Sequence, residues 1–189
     1  KDKNFISKKE NGIVDFFFEK KRGQTRLTVY IRRLVAKNYN ELDSNPLTDL
    51  PGIRSSVLRI EQAIESKKPY AICSMDLLHL EAFNRMYGDA RGDKVIIALG
   101  KIVRGALKKE GGMDDFLGHL GGDDFIVVTH PEAAVKIAEF IVKRFDEIIP
   151  NFYNVHDRRK GHILLTEGDG RSKPYPFMTI SIAIVQNDK

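Results

Sequence analysis

The sequence predicts an α/β sandwich: a mostly antiparallel sheet with helices packed on one side of it. Three observations carry that expectation. Residues 177–185 alternate, Met178, Ile180, Ile182 and Ile184 being separated by Thr179, Ser181 and Ala183, which is the period of a half-buried strand. Gly121-Gly122 divides two short apolar runs, 116–120 and 125–128, as a hairpin turn does. Apolar residues also recur at three- and four-residue steps in 53–67, 93–109 and 132–149, the stripe of an amphipathic helix.

Taken in order, residues 1–23 are polar and mixed, with an aromatic cluster at Phe16, Phe17 and Phe18. From 24 to 43, Leu27, Tyr30, Ile31, Leu34, Val35, Tyr39 and Leu42 form one apolar stripe. Such a helix either packs on its own domain or is a connector or dimerising helix that carries a signal from an upstream one. Two prolines in Asn45-Pro-Leu-Thr-Asp-Leu-Pro-Gly52 interrupt it and mark a domain boundary, giving an extension over 1–44 and a domain over 45–189. Ile53, Val57, Ile60 and Ile64 share a face of the next helix, and 70–76 reads as a buried strand ending in an acid. A short helix over 79–87 is followed by a glycine-marked turn, Gly88-Asp-Ala-Arg-Gly92, before the long helix at 93–109. Residues 150–176 read as loop, apart from an apolar run at 163–165.

Composition narrows the function. Apolar residues make up 42% and charged residues 30%, ordinary usage for a folded soluble chain. No apolar run reaches a membrane span and no signal-peptide pattern opens the chain, so the expected compartment is the cytoplasm. The net charge of +5 suits an anionic ligand, but arginine–aromatic interleaving and zinc-finger spacing are both missing, so nucleic acid is not the expected partner. Cys73 lies in an apolar run and reads as a small buried hydrophobe. The five histidines show no metal-ligand spacing.

The chemistry concentrates in two acidic strand ends. Asp123 and Asp124 leave the Gly121-Gly122 turn, and because strand neighbours face opposite ways, only one of them can aim at a given ligand. Glycines before an acid let a large anion approach the backbone. Strand 70–76 and the hairpin can be sheet neighbours, which brings Asp76 close to Asp123. Two such acids can share a divalent cation, since Mg²⁺ takes a few carboxylates plus phosphate oxygens. Taken alone Asp76 reads as a capping acid, and its pairing with Asp123 is what points to metal; Asp93 could be a helix N-cap.

These residues resemble the GGDEF family, the diguanylate cyclases. Gly121-Gly-Asp-Asp-Phe125 matches the naming motif with Asp124 in place of Glu. The block from Asp76 to Asp93 keeps the family's spacing of Asp76, Asn84, Gly88, Gly92 and Asp93. Leu47-Thr-Asp-Leu-Pro51 is similar to the family's opening signature and Met178-Thr-Ile-Ser-Ile-Ala183 to its late strand.

The resemblance implies a palm-type βααββαβ sandwich like that of nucleotidyl cyclases. It implies that two GTP condense to the bacterial second messenger cyclic di-GMP across a homodimer, downstream of a sensor or receiver domain. By the same resemblance Asp76, Asp123 and the Leu77 carbonyl bind Mg²⁺ or Mn²⁺, and Asp123 and Asp124 are the catalytic acids. Asn84 and Asp93 read guanine, and the backbone of His79, Leu80 and Glu81 holds phosphate. A carboxylate can accept from both guanine N1–H and the amino group, a pattern adenine does not offer.

The chain departs from the family at several positions. Leu78 and Glu81 stand where Asp and Lys are usual, and His119 where Arg is common. The family's product-inhibition site, Arg-x-x-Asp, becomes Gly112-Met-Asp-Asp115, which keeps the acid and loses the cation, so that site is expected to be absent. The family's last, phosphate-gripping helix is expected to be missing from the 45–189 segment. The alternative is therefore a catalytically degenerate domain that binds GTP or a protein partner and regulates. A Gly-Gly-Asp-Asp polymerase palm fits the Asn84 and Asp93 spacing less well.

Overall fold

The computed structural model describes residues 5–6, 16–17, 44–168 and 170–187. A two-residue antiparallel pairing joins β1 (Phe5–Ile6) to β2 (Phe16–Phe17). The predicted helix over 24–43 lies outside the described residues. The folded body then runs α1 (Ile53–Glu65), β3 (Tyr70–Leu78), α2 (Leu80–Tyr87), α3 (Asp89–Glu110), β4 (Phe116–Gly121), β5 (Asp124–Thr129) and α4 (Pro131–Ile148). A 3-10 turn at Ile149–Phe152 leads to α5 (Val155–Lys160), β6 (His162–Thr166), β7 (Ser172–Pro176) and β8 (Thr179–Asn187).

One four-stranded sheet, in the order β4-β5-β3-β8, organises the domain, and all its pairings are antiparallel. β3 lies between β5 and β8 and is packed on both faces, so its apolar residues run nearly unbroken. Ala71, Cys73, Met75 and Leu77 point into the main core with Val95, Leu99 and Val103 of α3 and Ile137, Ile141 and Phe145 of α4. Ile72, Ile126 and Val128 point the other way, onto Ile60 and Ala63 of α1. Helices thus cover both faces, which corrects the expected one-sided packing. The face of α1 that does this matches the predicted set only in part, through Ile60 and Val57. Ser56, Ile60 and Ala63 are buried, while Ile64 is 44% exposed. Small residues win because α1 lies close to β4: a Cβ on Gly118 would fall 2.1 Å from Ser56 Oγ.

Two further expectations fail, for local reasons. The Gly88–Gly92 turn is confined to Gly88, whose φ of 86° breaks the chain between α2 and α3. Gly92 is helical, and Asp93, read alternatively as an N-cap, lies inside α3. The loop expected at 150–176 instead holds α5 and the β6–β7 hairpin. Tyr153 anchors this segment beneath α2. Its ring stacks on Phe177 at 4.2 Å and meets Phe83 edge-on at 5.0 Å, and its hydroxyl accepts from the Met178 N–H. Nearby, the Tyr87 hydroxyl donates to Asp157, which Asn154 also holds. Burial pushes the Tyr153 hydroxyl up to about 12, and Tyr87 rises as far through burial and Asp157.

Candidate functional site

The end of β3, the start of α2, the β4–β5 turn and β7 enclose a cleft of about 810 Å³. Asp123, His79, Leu80, Glu81, Asn84, Arg85, Asp89 and Tyr175 are among its lining residues.

The hairpin tip is built for close approach. Gly121 has φ 129° and Gly122 φ 58°, backbone conformations that favour glycine, and a Cβ on either would meet nothing within 4 Å. Beneath the tip His119 is 1% exposed and stacks on Phe125 with ring centroids 4.2 Å apart. The Gly122 carbonyl accepts from His119 Nε2 at 2.8 Å, so Nδ1 is the acceptor for the Thr48 hydroxyl, also at 2.8 Å. Burial, partly opposed by the Gly122 carbonyl, holds His119 below its ordinary value and keeps it neutral. The residue that replaces the family's common Arg therefore braces the turn from inside, and ties it to the Leu47–Pro51 signature.

The two strand-end acids meet as expected. The β3–β5 ladder ends at Met75↔Phe125, and beyond it the Leu77 N–H donates to Asp123 Oδ2 at 3.3 Å. Asp123 also lies close enough to Asp76 for the two carboxylates to act on each other. Partial burial of its carboxyl, and then the facing Asp123 charge, push Asp76 above the usual carboxylate range. Like-charged groups held this way suit a cation between them. Among the described residues no cluster of three or more His, Cys, Asp or Glu forms a fuller cage. Two carboxylates with an adjacent carbonyl leave most of the shell to water or ligand oxygens, which fits Mg²⁺ better than a metal needing an all-protein cage.

The start of α2 borders the cleft. His79 precedes it in a left-handed conformation, φ 70°, uncommon for a residue with a side chain. No side chain caps this helix, so its first N–H groups keep free bonding capacity beside the cleft. Asn84 lies one turn on, and its buried Oδ1 has no hydrogen-bond partner among the described residues. A buried orphan acceptor is costly and calls for a donor. Asp93 sits on an exposed position of α3, one turn past Asp89, and it is Asp89 that lines the cleft.

Asp89, Arg85 and Tyr175 escaped the sequence reading. Asp89 was hidden in the presumed glycine turn. Tyr175 sits between two prolines, and no local period reveals that it pairs with Ile163. In Gly112-Met-Asp-Asp115, Asp115 Oδ2 accepts from the Gly112 N–H at 2.9 Å and so closes the turn before β4, where Arg59 of α1 also reaches the Asp114 carbonyl.

Fold and hairpin together define an α/β domain with a palm-like antiparallel sheet. The chain belongs to the GGDEF family: the family described as "Diguanylate cyclase, GGDEF domain" matches residues 43–167. It is 31% identical over 120 residues to the bifunctional diguanylate cyclase/cyclic di-GMP phosphodiesterase MucR of Pseudomonas aeruginosa, an alignment covering 60% of this chain and 17% of MucR. Its fold is similar to that of the diguanylate cyclase SiaD of Pseudomonas aeruginosa, solved with its activator SiaC. The TM-score is 0.53 at 18% identity, over 86% of this chain and 56% of SiaD. The GGDEF domain of DgcB from Caulobacter crescentus, solved in complex with c-di-GMP, gives a TM-score of 0.51 at 17% identity, over 79% of this chain and 80% of that one. The chain thus spans less than a fifth of MucR and about half of SiaD. No helix among the described residues is long and apolar enough to cross a membrane.

Proposed function

We propose that this domain condenses two GTP into cyclic di-GMP, two copies meeting head to head with one nucleotide each. The observation that carries the reading is the apposition of Asp76 and Asp123 beside the cleft that Asn84 lines. Asp76, Asp123 and the Leu77 carbonyl would hold Mg²⁺ or Mn²⁺, which when bound neutralises charge on the α-phosphate and favours ionisation of the attacking 3′-hydroxyl. Asp123 and Asp124 are the catalytic acids of the motif. The N–H groups at the start of α2 hold the terminal phosphates, and Asn84, whose Oδ1 is unpaired, reads the guanine edge; Asp93, expected to share that role, lies on an exposed position of α3 outside the residues lining the cleft. Each copy's 3′-oxygen forms a bond to the other nucleotide's α-phosphorus while the α–β anhydride breaks. Two pyrophosphates leave and two hydroxyl protons are released.

One observation favours the regulatory alternative. Glu81 and Asp89 line the same cleft as Asp123, so acid surrounds the space a triphosphate would take. In that reading the domain binds GTP, or only a protein partner, under the control of an upstream sensor or receiver domain. Incubation with GTP and Mg²⁺, with the product identified by mass, separates the two. Cyclic di-GMP made by the wild type and lost in Asp76→Asn supports the cyclase. Metal-dependent GTP binding without product supports the regulator.

A further inference from the structure

We infer that the β6–β7 hairpin is part of the ligand site: Tyr175 is an aromatic wall that packs on the bound nucleotide, and Arg85 and Glu167 are the positioning residues that hold it there. The inference rests on the nucleotide reading above and deepens it.

Tyr175 lines the same cleft as Asn84 and Asp123, although it reaches there from a separate two-stranded sheet. What holds it is a clasp between that sheet and α2. The Tyr175 hydroxyl donates to Glu167 Oε1 at 2.7 Å. Arg85, the neighbour of Asn84 on α2, donates to both Glu167 carboxylate oxygens at 3.3 and 3.4 Å and to the Thr166 carbonyl at 3.3 Å. The hairpin tip that carries Glu167 is closed by its own backbone bond, Glu167 N–H to the Arg171 carbonyl at 2.9 Å. The ring is thereby set edge-on to His79, 6.1 Å between centroids, beside the start of α2.

This geometry decides what Tyr175 offers. Its hydroxyl is spent on Glu167 and Lys173 Nζ lies over the ring at 5.0 Å, so what Tyr175 itself offers a ligand is ring surface rather than the hydroxyl donor. A ring packs on a base or sugar without reading its hydrogen-bonding edge, so its contribution is indifferent to base identity. Asn84, an amide with an unpaired acceptor, does the reverse. Affinity and base selection are therefore divided between two residues on facing elements.

The test is calorimetric titration of the whole chain with Mg²⁺·GTP and with Mg²⁺·ITP, which lacks the 2-amino group. Tyr175→Ala is expected to weaken both nucleotides by one common factor, about tenfold. Tyr175→Phe, which keeps the ring, retains most of the affinity. Glu167→Ala weakens binding in the wild type but adds nothing in the Tyr175→Ala background, as a residue acting only through the ring must. Thermal melting without nucleotide checks folding, and Tyr175→Leu, which keeps apolar bulk, replaces the alanine variant if that one melts early. Unchanged affinity on loss of the ring, a phenylalanine variant as weak as the alanine one, or additive losses in the double variant would each overturn the inference. A wild type that binds neither nucleotide would instead overturn the nucleotide reading itself, and this inference with it.

Discussion

Asn84 occupies the space that a side chain at Gly92 would need: a Cβ built there falls 2.0 Å from Asn84 Oδ1 and 2.9 Å from its Cγ. The two residues lie on successive helices that break at Gly88, so the position of the amide depends on α3 having no side chain at its second turn.

Gly92→Ala is therefore expected to separate binding from stability. Alanine inside a helix is favoured over glycine by about 1 kcal/mol, which offsets the cost of moving a flexible amide. The melting temperature should hold within a few degrees while GTP affinity falls toward that of Asn84→Ala. Calorimetry beside thermal melting checks it, and full GTP affinity in Gly92→Ala would break the link between this contact and the ligand.

The facing acids make a metal-linked stability prediction. Mg²⁺ bound at one hundred times its dissociation constant adds about 2.7 kcal/mol to the folded state. Asp123→Asn should lose that gain. Without metal, with EDTA present, it should be no less stable than the wild type, because a repulsion with Asp76 is relieved. An equal Mg²⁺ shift in melting temperature for both proteins would remove Asp123 from the metal site.

His119 should make the domain acid-sensitive. Its folded value lies below the ordinary 6.5 because burial disfavours the imidazolium. Above pH 6.5 it is neutral in both states and contributes no pH dependence. As pH falls below 6.5 the unfolded chain takes up a proton that the folded chain refuses, so stability declines down to the folded value. Urea midpoints at pH 7.5 and 5.5 should differ more in the wild type than in His119→Gln. Thr48→Val, which leaves Nδ1 buried without its donor, should cost about 1–3 kcal/mol at either pH.

Cyclic di-GMP should not dock at the turn before β4. Asp115 already spends an oxygen on the Gly112 N–H, and glycine presents no cation to a phosphate. Titration with cyclic di-GMP should show no Asp115-dependent binding at micromolar concentrations. Tight binding abolished by Asp115→Ala would restore the inhibitory site.

Much of this could be read from residue order because the signals are local. The alternation from Met178 to Ile184, the Gly121-Gly122 turn and the stripes of α3 and α4 follow from strand and helix periods, and each recurs in the fold. So does the meeting of Asp76 with Asp123, since antiparallel neighbours that end together must bring their terminal residues together. Burial of Cys73 followed from its apolar run, and that burial pushes its thiol up to about 12.

Other features belong to the packing alone. The close seat of α1 on its face of the sheet depends on Ser56 meeting Gly118, a contact between residues far apart in the chain. Local pattern likewise gave no sign that His119 would bridge Thr48 and Gly122, because a histidine in an apolar run shows no partner until the chain closes around it. The same holds for the 150–176 segment. Its strands carry prolines and charges, and they become a hairpin only when Tyr153 packs under α2 and Glu167 meets Arg85 and Tyr175. Residue order by itself determined the family, the sheet and the acid pair, because periods and motif spacings act over a few residues. The walls of the cleft were decided by tertiary structure, because contacts between distant residues form only once the core has set their distances.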